Sequence, residues 1–332
     1  MHAIPREEER INDRRTPIML IVDDPAPIVH VYRCHHPPYV TDDGRPLLEE
    51  IPTEFAARFA AVVERWGMRG KFSIVPGMGG RGDLANGIDG GRREEIRGWL
   101  DLVRARLAPH MDLCPEMITH HLAVDLATGQ FLPMNEATWS ETQTEETLTP
   151  YVTRALEMLR GAGIDATGVT SPWDFGIEVE PAYQRAIVAA QRAVYGREVS
   201  WYFLHMRHEE PESRPWLAVD EPPTKLVSIP STTDDWCWQT IHSPQRDRAY
   251  ISAVADRFLS EDGTKGDIAG VLAAGGWPIL VTHWQSVFSN GLETGLAALD
   301  EVGRRVEQRL RDRVVWCSAS EVMERTIRAA NP

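Results

Sequence analysis

The segment Pro17–Asp24, with the sequence PIMLIVDD, decides how the fold is interpreted. Its five consecutive apolar residues, Ile18 to Val22, are typical of a strand buried on both faces, as in parallel sheets covered by helices. The run is far shorter than the roughly 20 apolar residues that a membrane-spanning helix needs. Because two carboxylates follow at once, the strand is predicted to end at a polar edge of the sheet.

Short apolar segments alternate with amphipathic stretches along the rest of the chain. The further predicted strands are Lys71–Val75, Leu113–His120, Ala166–Ser171, Trp201–His205, Leu226–Ile229, Pro278–His283 and Val314–Cys317. The predicted helices include Thr53–Trp66, Arg92–Leu107, Glu145–Ala162, Pro181–Tyr195, Arg246–Leu259, Lys265–Ala274 and Leu292–Arg311. Such alternation indicates parallel strands covered by helices, and about eight strands suit a closed or nearly closed β/α barrel.

Residues 1–332 are predicted to form a single domain, since the chain contains neither a Ser- or Gly-rich linker nor an internal repeat. Three long loops, at about residues 25–52, 122–142 and 207–224, are inserted into the alternation of strands and helices. Long loops within a compact domain often carry function.

Charge and the N-terminal sequence limit the class of protein. A net charge of −14 argues against binding to a nucleic-acid backbone, which needs clustered Lys and Arg. The N-terminal stretch is charged and lacks the apolar core of a secretion signal, so a soluble, cytoplasmic protein without a membrane partner is expected. The four cysteines are widely spaced without a CxxC pair, which favours reduced thiols over disulfides.

Three polar clusters fall at the ends of predicted strands, namely Asp23-Asp24, His120-His121 and His283. The carboxyl ends of barrel strands form the face on which active sites are built. Adjacent carboxylates such as Asp23 and Asp24 repel each other unless a cation neutralises them. The alternative is that this pair simply begins a turn before Pro25.

Imidazoles at a strand end are candidate ligands for zinc or a similar metal. If the strand persists through His121, the side chains of His120 and His121 point in opposite directions, one of them toward the barrel mouth. Asp125 could supply an oxygen ligand, and His36 in the Pro-rich loop after the first strand could complete the shell. An exposed position is the simpler interpretation of the His35-His36 pair.

His283 could donate a proton to a leaving group, or it could merely pack against Trp284. Two further strand ends carry Trp beside Asp, and an indole ring offers an apolar face to a sugar ring. The predicted substrate-binding residues at these ends are Trp173, Asp174, Asp235 and Trp236.

In this order, the clusters resemble the motifs of the polysaccharide deacetylase family. The members of this family are metal-dependent carbohydrate esterases. The family motifs are a strand ending in Asp-Asp, His-(Ser/Thr)-x-x-His, Arg-x-Pro, Asp-x-x-Asp-Trp and a last strand ending in Leu-x-His. The resemblance spans roughly residues 17–318 and implies an α/β fold, an irregular β/α barrel of seven or eight strands.

Position by position, the resemblance assigns roles to individual residues. It implies that Asp23 is the catalytic base, that Asp24 and His120 are metal ligands, and that His283 assists the leaving group. The segment Asp234-Asp235-Trp236 resembles the Asp-Trp motif.

Two departures separate the chain from these motifs. Positions 124 and 125, four residues after His120 and His121, hold Val and Asp instead of a second histidine. The third metal ligand would therefore be Asp125, His121 or a loop histidine such as His36, or it is missing. Ser171-Pro172-Trp173 stands where the Arg-x-Pro motif belongs, so the family's usual partner of the catalytic base is missing.

The resemblance implies a hydrolase that depends on a divalent metal ion, with zinc predicted. Its expected substrate is a carbohydrate that loses an acyl group or a small molecule that contains an amide. One alternative is a glycoside hydrolase on the same barrel, with Asp23 or Asp24 paired with Asp174 or Asp235. The other is a non-catalytic barrel that binds a sugar. The sequence leaves the formation of a homo-oligomer open.

Overall fold

Strands and helices alternate through the chain, as the sequence pattern predicts. The structure is a computed structural model that describes residues 7–330. Its strands are β1 (Thr16–Asp23), β2 (Ile28–Val29), β3 (Glu50–Ile51), β4 (Gly70–Ile74), β5 (Gly82–Asp83), β6 (Gly87–Ile88), β7 (Met111–Pro115), β8 (Leu122–Val124), β9 (Phe131–Asn135), β10 (Gly168–Thr170), β11 (Val199–Phe203), β12 (Trp216–Glu221), β13 (Thr224–Ser228), β14 (Ile279–His283) and β15 (Val314–Trp316).

The helices lie between these strands. They are α1 (Glu7–Ile11), α2 (Val31–His35), α3 (Thr53–Trp66), α4 (Arg93–Leu102), α5 (Glu136–Ser140), α6 (Glu145–Gly161), α7 (Glu180–Tyr195), α8 (Arg248–Phe258), α9 (Asp267–Ala274), α10 (Trp284–Phe288), α11 (Thr294–Leu310) and α12 (Ala319–Ala330). None of the helices within residues 7–330 is both long and apolar enough to cross a membrane.

Two sheets contain the parallel strands. In the first sheet the order β14-β1-β4-β7 is parallel throughout, and β15 pairs with the first residues of β1. In the second sheet β10, β11 and β13 are parallel, and β12 is added to β13 as an antiparallel edge strand. Three short antiparallel pairs, β2–β3, β5–β6 and β8–β9, lie outside these sheets.

Apolar residues on both sides of β1 explain why this strand is buried on both faces. Leu20 and Val22 belong to the large core that also contains side chains of α3 and α11. Met19 and Ile21 belong to a second cluster that contains Trp201 of β11 and other residues of the second sheet. The two sheets therefore face each other across a common interior, with helices on the outside.

The edges of the two sheets approach each other on both sides of this interior. On one side, an isolated parallel bridge joins Glu116, directly after β7, to Thr170 of β10. On the other side, backbone N–H groups of β14 donate to side chains of the segment after β13. These bonds, which we call the side-chain seam, run from Ile279 N to Thr232 Oγ1 (2.9 Å), from Val281 N to Thr233 Oγ1 (3.4 Å) and from His283 N to Asp235 Oδ2 (3.1 Å).

Seven parallel strands thus surround the interior in the order β1, β4, β7, β10, β11, β13 and β14. The predicted α/β fold with an irregular barrel is confirmed. Within residues 7–330, however, the strands form no continuous closed ladder, because one junction has a single bridge and the other has one backbone bond, from Thr232 N to the Ile279 carbonyl (2.9 Å), beside the side-chain seam.

The third predicted strand, Leu113–His120, is wrong at its C-terminal end. β7 stops at Pro115, and Met117 and His120 have left-handed φ angles of 45° and 54°. The carboxylate of Glu136 holds this irregular path by accepting the N–H groups of Ile118, Thr119 and His120 over 2.7 to 3.0 Å. The strand therefore does not persist to His121, and the condition under which His120 and His121 would alternate across it is not met.

The predicted long loops contain short elements of their own. The loop at 25–52 holds β2, α2 and β3, the loop at 122–142 holds β8, β9 and α5, and the loop at 207–224 holds β12. These insertions follow β1, β7 and β11, so they extend the face of the barrel at the carboxyl ends of the strands.

Candidate active site

A cavity of about 980 Å³ opens at the carboxyl ends of the parallel strands. Its wall is built by segments at the ends of six strands, β1, β7, β10, β11, β13 and β14. Polar side chains in the wall include Asp23, Asp24, Glu116, His120, Asp235 and His283. The structure thus brings together residues of all three polar clusters that were singled out in the sequence.

Asp24 lies in the turn directly after β1, with a left-handed φ of 68°. Its backbone N–H donates to Glu116 Oε2 over 2.7 Å, and its Oδ2 accepts a hydrogen bond from Gln285 Nε2. Its Oδ1 lies 2.8 Å from His120 Nε2 but has no hydrogen-bond partner among the described residues. This contact pairs the oxygen electrostatically with His120, and a carboxylate oxygen beside an imidazole nitrogen is a donor set that suits a cation.

Asp24, Glu116 and His120 are buried, and one ligand atom from each lies within 4.8 Å of the others. The part of the chain that the structure describes contains no other such group of three. Two carboxylate oxygens and an imidazole nitrogen fit zinc, and they also fit manganese, iron, cobalt or nickel to some degree. The residues present are therefore suitable for holding a divalent metal ion.

The electrostatics of this group favour a cation as well. Burial, together with the negative charges of Asp23 and Asp24, raises the pKa of Glu116 well above its usual value. Burial alone would disfavour charge on Asp24 and on His120, but their mutual contact lowers the pKa of Asp24 and raises the pKa of His120. A divalent ion would neutralise the excess negative charge of the two carboxylates.

Asp125 and His36, which were predicted as ligands, lie outside this group of three. The Oδ1 atom of Asp125 accepts the N–H groups of Ala127 and Thr128, over 2.8 and 3.2 Å, in a turn. His36 is exposed, and its ring packs on Tyr32 with 4.1 Å between the ring centroids.

The imidazole that packs beside the group is that of His35. Its ring is nearly parallel to the ring of His120, with 5.4 Å between centroids, and the ring of His121 lies 5.7 Å from it. Both ring nitrogens of His35 are buried without a hydrogen-bond partner in residues 7–330. Burial and the neighbouring His120 lower the pKa of His35 to about 2, so this imidazole is neutral at physiological pH.

Asp23, the last residue of β1, is held by a buried lysine. The ammonium group of Lys71 in β4 donates to Asp23 Oδ1, to Ser73 Oγ (2.7 Å) and to Thr170 Oγ1 (2.9 Å). Ser73 Oγ also donates to Asp23 Oδ1 over 2.9 Å. The predicted base therefore has a cationic partner, although no arginine precedes Pro172.

His283, the last residue of β14, is paired with Asp235. Its Nδ1 lies 2.8 Å from Asp235 Oδ2, which also accepts its backbone N–H. Burial by itself would lower the pKa of His283, but the bond to Asp235 and the charges of Asp24 and Asp23 raise it to about 9. His283 is thus an imidazolium at neutral pH and can donate a proton.

The two tryptophans predicted to bind substrate differ in how much of the ring is free. Trp173 is 42% exposed, and its ring centroid lies 4.7 Å from that of His120. The ring of Trp236 is covered by the guanidinium of Arg257 at 3.6 Å, and its Nε1 donates to Asp267 over 2.7 Å. Trp173 therefore offers more ring surface to the cavity.

Two other residues complete this part of the wall. Asp174 is exposed and lines the cavity next to Trp173. Trp238 packs edge-on against His283, with 5.0 Å between the ring centroids. The indole beside the predicted acid is therefore that of Trp238, since Trp236 packs against Arg257 and Asp267.

Three further site residues, Lys71, Glu116 and Gln285, were not predicted from the sequence. A signal for Lys71 existed, because Lys71 and Ser73 alternate with apolar residues in β4 and so place polar groups on one face of the strand. Glu116 stands four residues before His120, inside the predicted strand Leu113–His120, where it did not mark a strand end. Gln285 has no local signal, since only the tertiary fold brings it to Asp24.

No family model matches the chain, and no curated protein matches it either. Among solved structures, a "putative polysaccharide deacetylase from Mycobacterium smegmatis" is similar with a TM-score of 0.54 and 14% identity, over 96% of this chain and 93% of that one. A T48 deacetylase with substrate has a TM-score of 0.43 and 9% identity, over 93% and 90% of the two chains. A lactam utilization protein from Thermus thermophilus has a TM-score of 0.35 and 12% identity, over 89% and 96%. The first of these similarities shows that the chain has the fold of a polysaccharide deacetylase, at a low level of sequence identity.

Proposed function

We propose that the protein is a hydrolase that uses a divalent metal ion, bound by Asp24, Glu116 and His120, to cleave an acyl or amide bond. The observation that carries the proposal is the buried group of Asp24, Glu116 and His120, whose candidate ligand atoms lie within 4.8 Å of one another. The same cavity contains a carboxylate, Asp23, and an imidazolium, His283, which suit the base and the acid of a hydrolysis.

Each protein group has a distinct part in this reaction. A bound cation would polarise the substrate carbonyl and stabilise the charge that develops on its oxygen. Asp23 has one oxygen bonded to Lys71 and Ser73, and its other oxygen, without a partner among the described residues, would take a proton from the attacking water. His283, kept protonated by Asp235, would deliver a proton to the departing amine or alcohol.

The fold and the cavity wall bear on the substrate. The structural similarity to the "putative polysaccharide deacetylase" supports an acylated carbohydrate, and the exposed ring of Trp173 suits a sugar. The wall carries the carboxylates of Asp42, Asp174 and Asp234, but no Lys or Arg among the described residues that line it. A neutral or cationic substrate, or an amine product, therefore fits this cavity better than an anion.

The glycoside hydrolase alternative needs two carboxylates free to act as acid and base. Asp235 is bonded to His283, and Asp23 is bonded to Lys71 and Ser73. Asp235 therefore supports His283 as an acid, and the partners of Asp23 suit its role as a base. This arrangement favours acyl or amide hydrolysis.

The first test is metal content, measured by elemental mass spectrometry on protein purified without chelator. We expect about one transition metal ion per wild-type chain. The variant Asp24→Asn should lose it, because the ligand loses its charge while Asn tolerates the left-handed φ of 68°.

Asp125→Asn is the matched control. This carboxylate only accepts backbone N–H groups in a turn, and an amide oxygen can do the same, so the variant should keep its metal. A wild-type protein that stays metal-free after reconstitution would contradict the proposal. Equal metal content in wild type and Asp24→Asn would also contradict it.

A further inference from the structure

Lys71 is unusual because its ammonium group is taken wholly out of water. The side chain has 0% exposure, and lysines are almost never fully buried unless they are paired. Its three N–H donors meet three oxygens, those of Asp23, Ser73 and Thr170, and the nitrogen also lies 4.4 Å from the ring centroid of Phe203. With every donor used, Lys71 has no capacity left to bind a substrate directly.

The contacts of Lys71 act on one atom of the predicted base. Lys71 and Ser73 both donate to Oδ1 of Asp23, and this fixes the rotation of the carboxylate. Asp23 lines the cavity, whereas Lys71 is not part of the cavity wall. The remaining oxygen of Asp23, Oδ2, is therefore the one available to a water molecule in the cavity.

The position of Thr170 explains how the fold accommodates this lysine. Thr170 lies two residues before Pro172. It therefore occupies the position that an arginine holds in the Arg-x-Pro motif, from which this chain departs. Its hydroxyl lies 2.9 Å from the Lys71 nitrogen and 2.9 Å from Ser73 Oγ. The small side chain at 170 leaves room for a cation that comes from β4 instead of β10.

We propose that Lys71 is a positioning residue that fixes the carboxylate of Asp23, so that Oδ2 faces the attacking water. This inference rests on the proposed function, in which Asp23 is the general base. Lys71 acts only through Asp23, because its own donors are fully used within the barrel.

The test uses the metal-loaded protein and 4-nitrophenyl acetate. Nitrophenolate departs without a proton, so this probe depends on the base and does not need the acid His283. For Lys71→Met we expect about a 100-fold lower kcat, a KM within about twofold of wild type and unchanged metal content, because a misplaced catalytic group costs about this much.

A second variant exchanges two side chains, Lys71→Thr with Thr170→Lys. It keeps the composition and returns an ammonium group to the same pocket from β10, which lies two strands away from β4 around the barrel. We expect it to regain at least about tenfold in kcat over Lys71→Met, since orientation of a bound group accounts for factors of this size and more. A merely structural lysine would show no such recovery.

Several outcomes would overturn the inference. Wild-type kcat in Lys71→Met, or a loss of metal in that variant, would exclude a positioning role while leaving the proposed function intact. If Lys71→Met does not fold, the exchange variant decides, and a folded, metal-loaded exchange protein as slow as Asp23→Asn would exclude the role. Metal-loaded wild type without turnover would overturn the proposed function and this inference together.

Discussion

Asp23 and Asp24 are neighbours in the chain, but their partners give them different chemistry. Asp23 ends β1, and its charge is neutralised by Lys71. Lys71 and Ser73 both donate to Oδ1, which leaves Oδ2 available to the cavity. Asp24 lies in the following turn, where His120 and Gln285 approach its two oxygens. One carboxylate is therefore suited to proton transfer and the other to a metal ion, because environment sets the role of each group.

Asp235 sets the proton affinity of His283, so Asp235→Asn should change the pH dependence of hydrolysis. The pKa of His283 is raised to about 9, so the proton-donating form is present below about pH 9 and is lost above it. Without the negative charge of Asp235, this pKa falls toward the usual 6.5. The alkaline limb of kcat/KM, measured on an N-acetylated amine, should therefore move to lower pH.

The control for this prediction is the substrate. Nitrophenolate leaves 4-nitrophenyl acetate without a proton, so the alkaline limb for this ester should not depend on Asp235. The assigned role of His283 is wrong if Asp235→Asn leaves the limb for the amide at its wild-type position.

At the scale of elements, β1 and β4 approach each other so closely that the first residue of β4, Gly70, must be glycine. A Cβ on Gly70 would overlap the carbonyl oxygen of Leu20, its partner in the parallel ladder. The partner here is backbone, which cannot move aside without breaking the pairing of β1 with β4.

Gly70→Ala should therefore destabilise the protein by more than about 2 kcal/mol in urea unfolding. The matched control is Gly98→Ala in α4, where a Cβ would meet no atom within 4 Å. This variant should gain about 0.5–1 kcal/mol, because alanine favours a helix over glycine. Equal stability of the two variants would show that the β1–β4 approach is not as close as described.

The alternation of elements could be predicted from the sequence because it rests on local patterns. Burial of β1 on both faces follows from its apolar run, and the helix Thr53–Trp66 was predicted with its observed bounds. The end of β7 could not be predicted, because the path after Pro115 is held by Glu136 of α5, a five-residue helix that was not among the predicted elements.

The candidate site was predictable only in part for the same reason. Asp23, Asp24, His120 and His283 follow apolar runs, and this made them visible in the sequence. Glu116 and Gln285 reach Asp24 through the tertiary fold, and neither stands at the end of a predicted strand. Lys71 lies inside a strand, and its burial depends on Asp23, which is distant in the chain.

At the scale of the whole molecule, electrostatics should select among substrates. The chain has a net charge of −14, and the cavity wall holds several carboxylates but no Lys or Arg among its described residues. At low ionic strength, kcat/KM for an acetylated probe with an ammonium group should exceed that of a carboxylate-bearing analogue by more than about tenfold.

Salt provides the control for this prediction. Screening shortens the range of the field to about 10 Å at 0.1 M, so the ratio between the two probes should fall as salt is added. A hydroxyl-bearing probe of the same size should lie between them and change little with salt. Equal kcat/KM for the two charged probes at low salt would contradict electrostatic selection by the cavity.

The side-chain seam places an evolutionary constraint on this barrel. A backbone ladder accepts most substitutions, because every residue except proline carries the same donor and acceptor. Besides one backbone bond, from Thr232 N to the Ile279 carbonyl, this junction depends on the side-chain oxygens of Thr232, Thr233 and Asp235, which alanine or valine would lack. Closure of the barrel and the acidity of His283 thus share one residue, Asp235, and a mutation that retunes one property must alter the other.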